Sequence, residues 1–123
     1  GILQIDAHCD LRKCYEGFEY SHASIMYNVL EQIPQVKKLV QVGPRDYCQE
    51  EAEFISASNY RVKCFFDNEI KEALYDGATW KNIATAIVEQ LPANVYISFD
   101  VDGLDPKLCP FTSLNKLLLP VKK

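Results

Sequence analysis

The sequence predicts an α/β domain with a parallel sheet and helices on both of its faces. Three observations carry that prediction. Four short apolar runs read as strands, stretches with a 3.6-residue apolar period separate them, and Gly or Pro punctuates the joins. Parallel strands require such alternation, because each needs a long crossover to return to the same edge, and those crossovers are right-handed.

The first strand is Ile2–Ile5, followed by D-A-H-C-D and a turn at Glu16-Gly17. Ser21 is placed to cap a helix over about Ala23–Gln32, with Ile25, Met26, Val29, Leu30 and Ile33 on one stripe and Pro34 ending it. Lys38–Val42 reads as the second strand, closed by Gly43-Pro44. Gln49–Ala57 follows as a helix with apolar Ala52, Phe54 and Ile55, and Val62–Phe66 as the third strand. Asp67 or Asn68 is positioned to cap a short helix reaching Tyr75, which Gly77 breaks. Thr79–Leu91 is amphipathic, with Trp80, Ile83, Ala84, Ile87, Val88 and Leu91 on one side. Pro92 ends it, and Val95–Phe99 is the fourth and clearest strand.

The 123 residues amount to one domain, and 48% apolar with 24% charged residues is a globular composition rather than that of a disordered, coiled-coil or membrane-spanning chain. No apolar run approaches the ~18 residues that a transmembrane helix needs. Lys and Arg number 13 against 17 Asp and Glu, a formal charge of -4 that argues against nucleic acid or an anionic membrane as partner. Five cysteines without a C-x-x-C pair read as reduced thiols, which predicts a cytoplasmic location, and no signal peptide is recognisable. The chain enters strand-like sequence directly at Gly1, which predicts an incomplete domain. Asp6, Asp10, Asp100 and Asp102 account for the excess charge: with them set aside, acids and bases balance at 13 each.

These four acids sit in two motifs at strand ends, where open α/β sheets bind ligands. Near-extended backbone alternates its side chains, so Asp6, His8 and Asp10 are expected on one side with Asp100 and Asp102, while Ala7, Cys9 and Val101 face away. Two unit charges 4 Å apart repel by roughly 4 kcal/mol at an effective dielectric of about 20. Four converging carboxylates therefore call for cations, and two divalent ions match their charge. Oxygen-rich ligation with a minority of imidazole suits Mn²⁺ better than Zn²⁺. Each motif also has a plainer reading as solvated loop ends or helix caps, Cys9 as a small buried thiol, and His22 as a surface histidine at a helix start. Phe99–Leu104 resembles, in addition, the D-x-D-G strand end of haloacid-dehalogenase-type phosphatases. In that reading Asp100 is a nucleophile served by Mg²⁺.

Taken together, D-A-H-C-D at Asp6–Asp10, S-H-A-S at Ser21–Ser24 and S-F-D-V-D-G-L-D-P at Ser98–Pro106 resemble the ureohydrolase family of arginase, agmatinase, guanidinobutyrase and formimidoylglutamase. Gly43-Pro44-Arg45-Asp46 is a weaker match to the family's G-x-R segment, and Ser-His-Ala-Ser looks closer to the agmatinase and formimidoylglutamase branches. The resemblance covers residues 1 to about 110 and leaves a divergent tail over 111–123, where only Thr112 could match a further family segment. It implies a three-layer α/β/α sandwich with a binuclear manganese site at the carboxyl edge of the sheet. Asp6 and Asp100 would bridge the ions, His8 and Asp10 would each bind one, and Asp102 would bind the second. His22 would shuttle a proton or contact substrate, and Asp102 or His22 would protonate the leaving amine.

The activity so implied is attack of hydroxide, generated between the ions, on a guanidinium carbon, releasing urea and an amine. The implied partner is a small cationic guanidino compound, and family members form homo-oligomers. A further histidine ligand and a substrate-binding glutamate belong to family segments that this sequence does not contain. Five of the family's six protein ligands are present, so one metal position is expected to be weak. The alternative expectation is a catalytically weak or inactive remnant whose half-sheet exposes an edge strand.

Overall fold

A computed structural model describes residues 1–110; the divergent tail over 111–123, with Thr112, lies outside the described residues. Four strands form one parallel sheet in the order β3-β2-β1-β4: β1 (Ile2–Ile5), β2 (Leu39–Val42), β3 (Val62–Phe65) and β4 (Tyr96–Phe99). Helices α1 (Ile25–Gln32), α2 (Gln49–Ala57), α3 (Asp67–Tyr75) and α4 (Trp80–Glu89) make the crossovers. The fold is thus the expected α/β class, and the predicted elements all form, with ends shifted by one or two residues.

The two faces of the sheet carry separate cores. Ile2, Leu39 and Val62 pack with Met26 and Leu30 of α1 and Phe54 and Ile55 of α2. On the opposite face Val40 and Val42 pack with Ile83 and Ile87 of α4 and Ile70 and Ala73 of α3. This division follows from handedness. Moving from β1 through β2 to β3 puts α1 and α2 on one face. The return to β4, on the far side of β1, puts α3 and α4 on the other.

Local details differ where tertiary contacts outrank local signals. The first helix begins as a 3₁₀ turn over His22–Ser24, in which Ser21 N–H donates to Ser24 Oγ at 2.9 Å. Phe66 rather than Asp67 or Asn68 caps α3, and Asp67 instead pairs with Lys71 one turn later at 2.6 Å. Thr79 Oγ1 caps α4 through Asn82 N–H. The apolar stripe of α4 is only half used: Ile83 and Ile87 are buried, but Trp80 and Val88 are exposed. Beyond β4 no further strand extends the sheet among the described residues, so nothing there covers those two side chains.

Candidate metal centre

The strand order reverses at β1, because β2 lies on one side of it and β4 on the other. A crevice opens at the carboxyl ends of two strands where their connections diverge to opposite faces. Both acidic motifs leave the sheet there. Ile5 and Phe99 are register partners, and Asp100 N–H donates to the Ile5 carbonyl at 2.9 Å, so Asp6 and Asp100 start side by side. The resulting cavity, about 460 Å³, is lined by Asp6, His8, Asp10, Asp100 and Asp102 and by His22 at its rim. All six residues singled out from the sequence therefore meet in one place.

Within the first motif Ala7 and Cys9 are fully buried while Asp6, His8 and Asp10 all line the cavity, as expected, although the backbone at Asp10 is not extended. Asp10 has φ 54°, in the left-handed region, and its carbonyl accepts the Met26 and Tyr27 N–H groups at 3.0 and 3.2 Å. Its side chain still reaches the cavity. Asp6 is buried, with Oδ1 accepting the His8 N–H at 2.8 Å and Oδ2 accepting from Gln4 Nε2 at 2.9 Å. The Cys9 thiol interacts with Cys64, and that hydrogen bond and burial push its pKa far up, which suits a small buried thiol.

The second motif turns through a 3₁₀ segment over Val101–Gly103, started by Asp100 Oδ1 accepting the Asp102 N–H at 3.0 Å. Val101 faces away from the cavity, as the alternation predicts, and is exposed, since no strand lies beyond β4 among the described residues. Asp102 turns inward: its Oδ1 accepts the Ala7 N–H at 3.1 Å and its Oδ2 lies 3.2 Å from His8 Nδ1. The turn fits only because residue 103 is glycine. A Cβ there would stand 2.8 Å from Asp6 N and 3.1 Å from Asp6 Cα, against backbone that cannot give way.

Crowding of like charge shows in the titration of the group. Burial, then the neighbouring Asp6 carboxylate, push Asp10 up to about 7. Burial also raises Asp102, reinforced by Asp6 and Asp100 and opposed by the Ala7 N–H. For Asp6 burial acts in the same direction, but the hydrogen bonds from His8 and Gln4 outweigh it and hold the carboxyl low. The Asp6 hydrogen bond carries His8 up to about 9 against the pull of burial. Burial and like charge together push up Asp10 and Asp102, whose negative charge the protein compensates only in part.

Its donor set fits a divalent cation. One atom each from Asp6, His8 and Asp102 lies within 4.8 Å of the others, which is the spread of ligands around a single ion. Asp10 and Asp100 border the same cavity and extend the set toward a second position. Hard oxygen donors with one imidazole favour ions such as Mn²⁺ over soft metals.

The family model for the Arginase family matches residues 1–116. The chain belongs to the arginase family. It is 36% identical over 110 residues to an N(1)-aminopropylagmatine ureohydrolase of Synechocystis, covering 89% of this chain and 32% of that protein. It is 35% identical over 116 residues to the mitochondrial arginase 1 of Arabidopsis thaliana, covering 91% of this chain and 30% of that protein. The agmatine ureohydrolase structure of Thermoplasma volcanium superposes with a TM-score of 0.65 at 29% identity, over 89% of this chain and 34% of that one. The chain thus spans about a third of the length of these relatives. Membership of the arginase family removes the phosphatase reading of Phe99–Leu104.

Several residues of this arginase-family site went unrecognised in the sequence. Arg45, in the weakly matching segment, donates through Nη2 to the carbonyls of Asp102 and Leu104 and so fastens the second motif to β2. Glu51, buried beside the cavity, accepts the Leu11 and Cys48 N–H groups at 2.9 Å each. Tyr15 meets His22 edge-on at 5.3 Å and carries Arg12 over its ring at 5.4 Å. Gln4 and Gln41 were visible as polar residues within apolar strands, an anomaly that marks a buried hydrogen-bonding task.

Proposed function

We propose that this chain carries the metal-binding part of a manganese-dependent ureohydrolase that cleaves a C–N bond of a small, linear, cationic guanidino compound, releasing urea and an amine. The observation that carries the reading is the convergence of Asp6, His8, Asp10, Asp100 and Asp102 on one crevice at the β1/β4 switch point. The names of its relatives, which include an agmatine ureohydrolase and an arginase, support the substrate class.

Asp6 and Asp100 would serve both ions, His8 and Asp102 would hold one, and Asp10 would hold the other. When bound, two such ions supply Lewis acidity and bring the pKa of water toward neutrality. The surrounding carboxylates draw a guanidinium into the crevice and stabilise its positive charge there. Hydrogen bonds from His8 and Gln4 orient the Asp6 carboxylate, and Ala7 N–H orients that of Asp102. Asp102, whose carboxyl is raised, and His22, at the cavity rim against Tyr15, are the groups assigned to deliver a proton to the departing nitrogen.

A second reading is favoured by one observation: the sequence has two histidines, and His22 stands at the rim, so Asp10 has no imidazole to share its ion. On that reading one metal position is weak and the chain by itself turns over slowly or not at all. Titration of the 123-residue chain with Mn²⁺, together with urea release from agmatine, arginine and guanidinobutyrate, separates the two. Two bound ions and urea release support the active reading. One tight ion without urea supports the second, and no bound ion refutes both.

A further inference from the structure

We propose that Gln4, oriented by Gln41, is a positioning residue for the metal centre: its amide ties the Asp6 and Asp10 carboxylates together and so holds the oxygens that would take up metal. The inference rests on the metal-binding reading above and concerns residues outside the assigned ligand set.

Strands β1 and β2 read I-L-Q-I and L-V-Q-V, each with a single amide in an otherwise apolar or sheet-buried run. Gln4 is 1% exposed and Gln41 0%, and the two are register partners on adjacent parallel strands, so their side chains stand together on one face. A primary amide in such a place is unfavourable unless its hydrogen bonds are made. Here they are made in one sense only. The Asp6 carboxylate, held in its ionised form, can only accept, so Gln4 turns its NH₂ toward the cavity, and Nε2 donates to Asp6 Oδ2 at 2.9 Å and to Asp10 Oδ2 at 3.3 Å. Gln4 Oε1 then faces β2 and accepts from Gln41 Nε2 at 2.7 Å. The other Gln41 N–H meets the Cys9 carbonyl at 2.6 Å, again an acceptor. Neither amide can flip without setting oxygen against oxygen.

The arrangement leaves Gln41 Oε1 buried with no hydrogen-bond partner among the described residues. Two apolar side chains would pack the sheet without that loss, so stability alone does not account for the pair. A task at the carboxylates does. Asp10 departs from the strand through its left-handed backbone, and Gln4 is the group that draws its side chain back beside Asp6. A lysine at this position would compete with a cation for the same oxygens. A neutral amide occupies one oxygen of each carboxylate and leaves both negative charges for the ions.

The test is titration of the 123-residue chain and of Gln4→Met, Gln41→Met and the double variant with Mn²⁺ and Co²⁺. Binding isotherms and the visible absorption of bound Co²⁺ are read alongside the unfolding midpoint of each metal-free protein. Methionine keeps length and volume. Gln4→Met is expected to weaken binding by about 10–100-fold and to shift the Co²⁺ bands, Gln41→Met to do so less. The double variant should lose no more than Gln4→Met, since Gln41 acts through Gln4. Parent-like affinity and spectra in the single variants, or losses that simply add, overturn the proposal and leave the metal site standing. If Gln4→Met fails to fold, the metal affinity and Co²⁺ spectrum of Gln41→Met decide, because that variant keeps the Gln4 amide beside the two carboxylates; its metal-free midpoint should drop somewhat, since Gln4 Oε1 and the Cys9 carbonyl each lose a donor. A parent chain that takes up neither metal refutes the metal site itself, and this role with it.

Discussion

The two acidic motifs leave neighbouring strands, yet they are supported in opposite ways. Strand β1, which delivers Asp6, His8 and Asp10, is paired on both sides and packed on both faces. Strand β4, which delivers Asp100 and Asp102, pairs on one side among the described residues, and Tyr96, Ile97 and Phe99 are 69%, 61% and 53% exposed. The first motif is therefore built into a core. The second takes its position from the first, through Asp100 N–H on Ile5, Ala7 N–H on Asp102, Arg45 on the Asp102 carbonyl, and the close approach of Gly103. A composite site of this kind is rigid where its strand is central and depends on a few polar fastenings where its strand is at the edge.

Substitution of one carboxylate in each motif tests that asymmetry most severely. Asp6→Asn should weaken Mn²⁺ binding by more than about 100-fold, since even residues that only orient ligands cost about 10–100-fold. Asp100→Asn, on the exposed strand, should cost less when both are titrated calorimetrically. Equal losses would mean that the edge motif is as firmly placed as the central one.

Stability should divide the same way. Leu39→Ala, which empties a fully buried position between α1 and α2, is expected to cost about 2–5 kcal/mol in urea denaturation. Ile97→Ala on β4 should stay within about 0.5 kcal/mol. A large loss at Ile97 would show that the edge is covered in solution.

The junction itself is probed by Gly103→Ala, whose Cβ meets Asp6 backbone at 2.8 Å. A cost of about 1–3 kcal/mol is expected, with weaker Mn²⁺ binding as the two motifs are pushed apart. Unchanged binding in that variant would show the second motif to be free to shift.

Smallest per step is the effect of pH. Folding raises Asp10 from 3.8 to about 7 and His8 from 6.5 to about 9. Raised values stabilise the metal-free fold at low pH: the contribution is complete below 3.8 and 6.5 respectively and is lost as pH rises through about 7 and about 9. Metal must displace those same protons, so Mn²⁺ affinity should climb by about tenfold per pH unit above the Asp10 value, until His8 is neutral, and more steeply below it. Opposite slopes for metal-free stability and for metal affinity are the signature to look for by calorimetry.

Strands and helices were legible because apolar spacing is a local property, and three Pro residues and three Gly residues marked joins that the fold kept. The clustered acids were legible for a related reason: D-A-H-C-D and D-V-D each follow an apolar run, and strand ends are where such sheets bind. The left-handed backbone at Asp10 was not legible, because it is sustained by the start of α1, farther along the chain. Nor were the tasks of Arg45, Glu51, Gln4 and Gln41, whose partners lie on other elements.

Composition, periodicity and the order of the motifs along the chain were enough to establish the α/β class, the excess charge confined to four aspartates, and the need for cations wherever those aspartates meet. That they meet at all depended on strand order. With β1 between β2 and β4, right-handed crossovers carry the chain to opposite faces and leave a crevice between the two strand ends, and only the assembled sheet brings residues about ninety positions apart within reach of one ion.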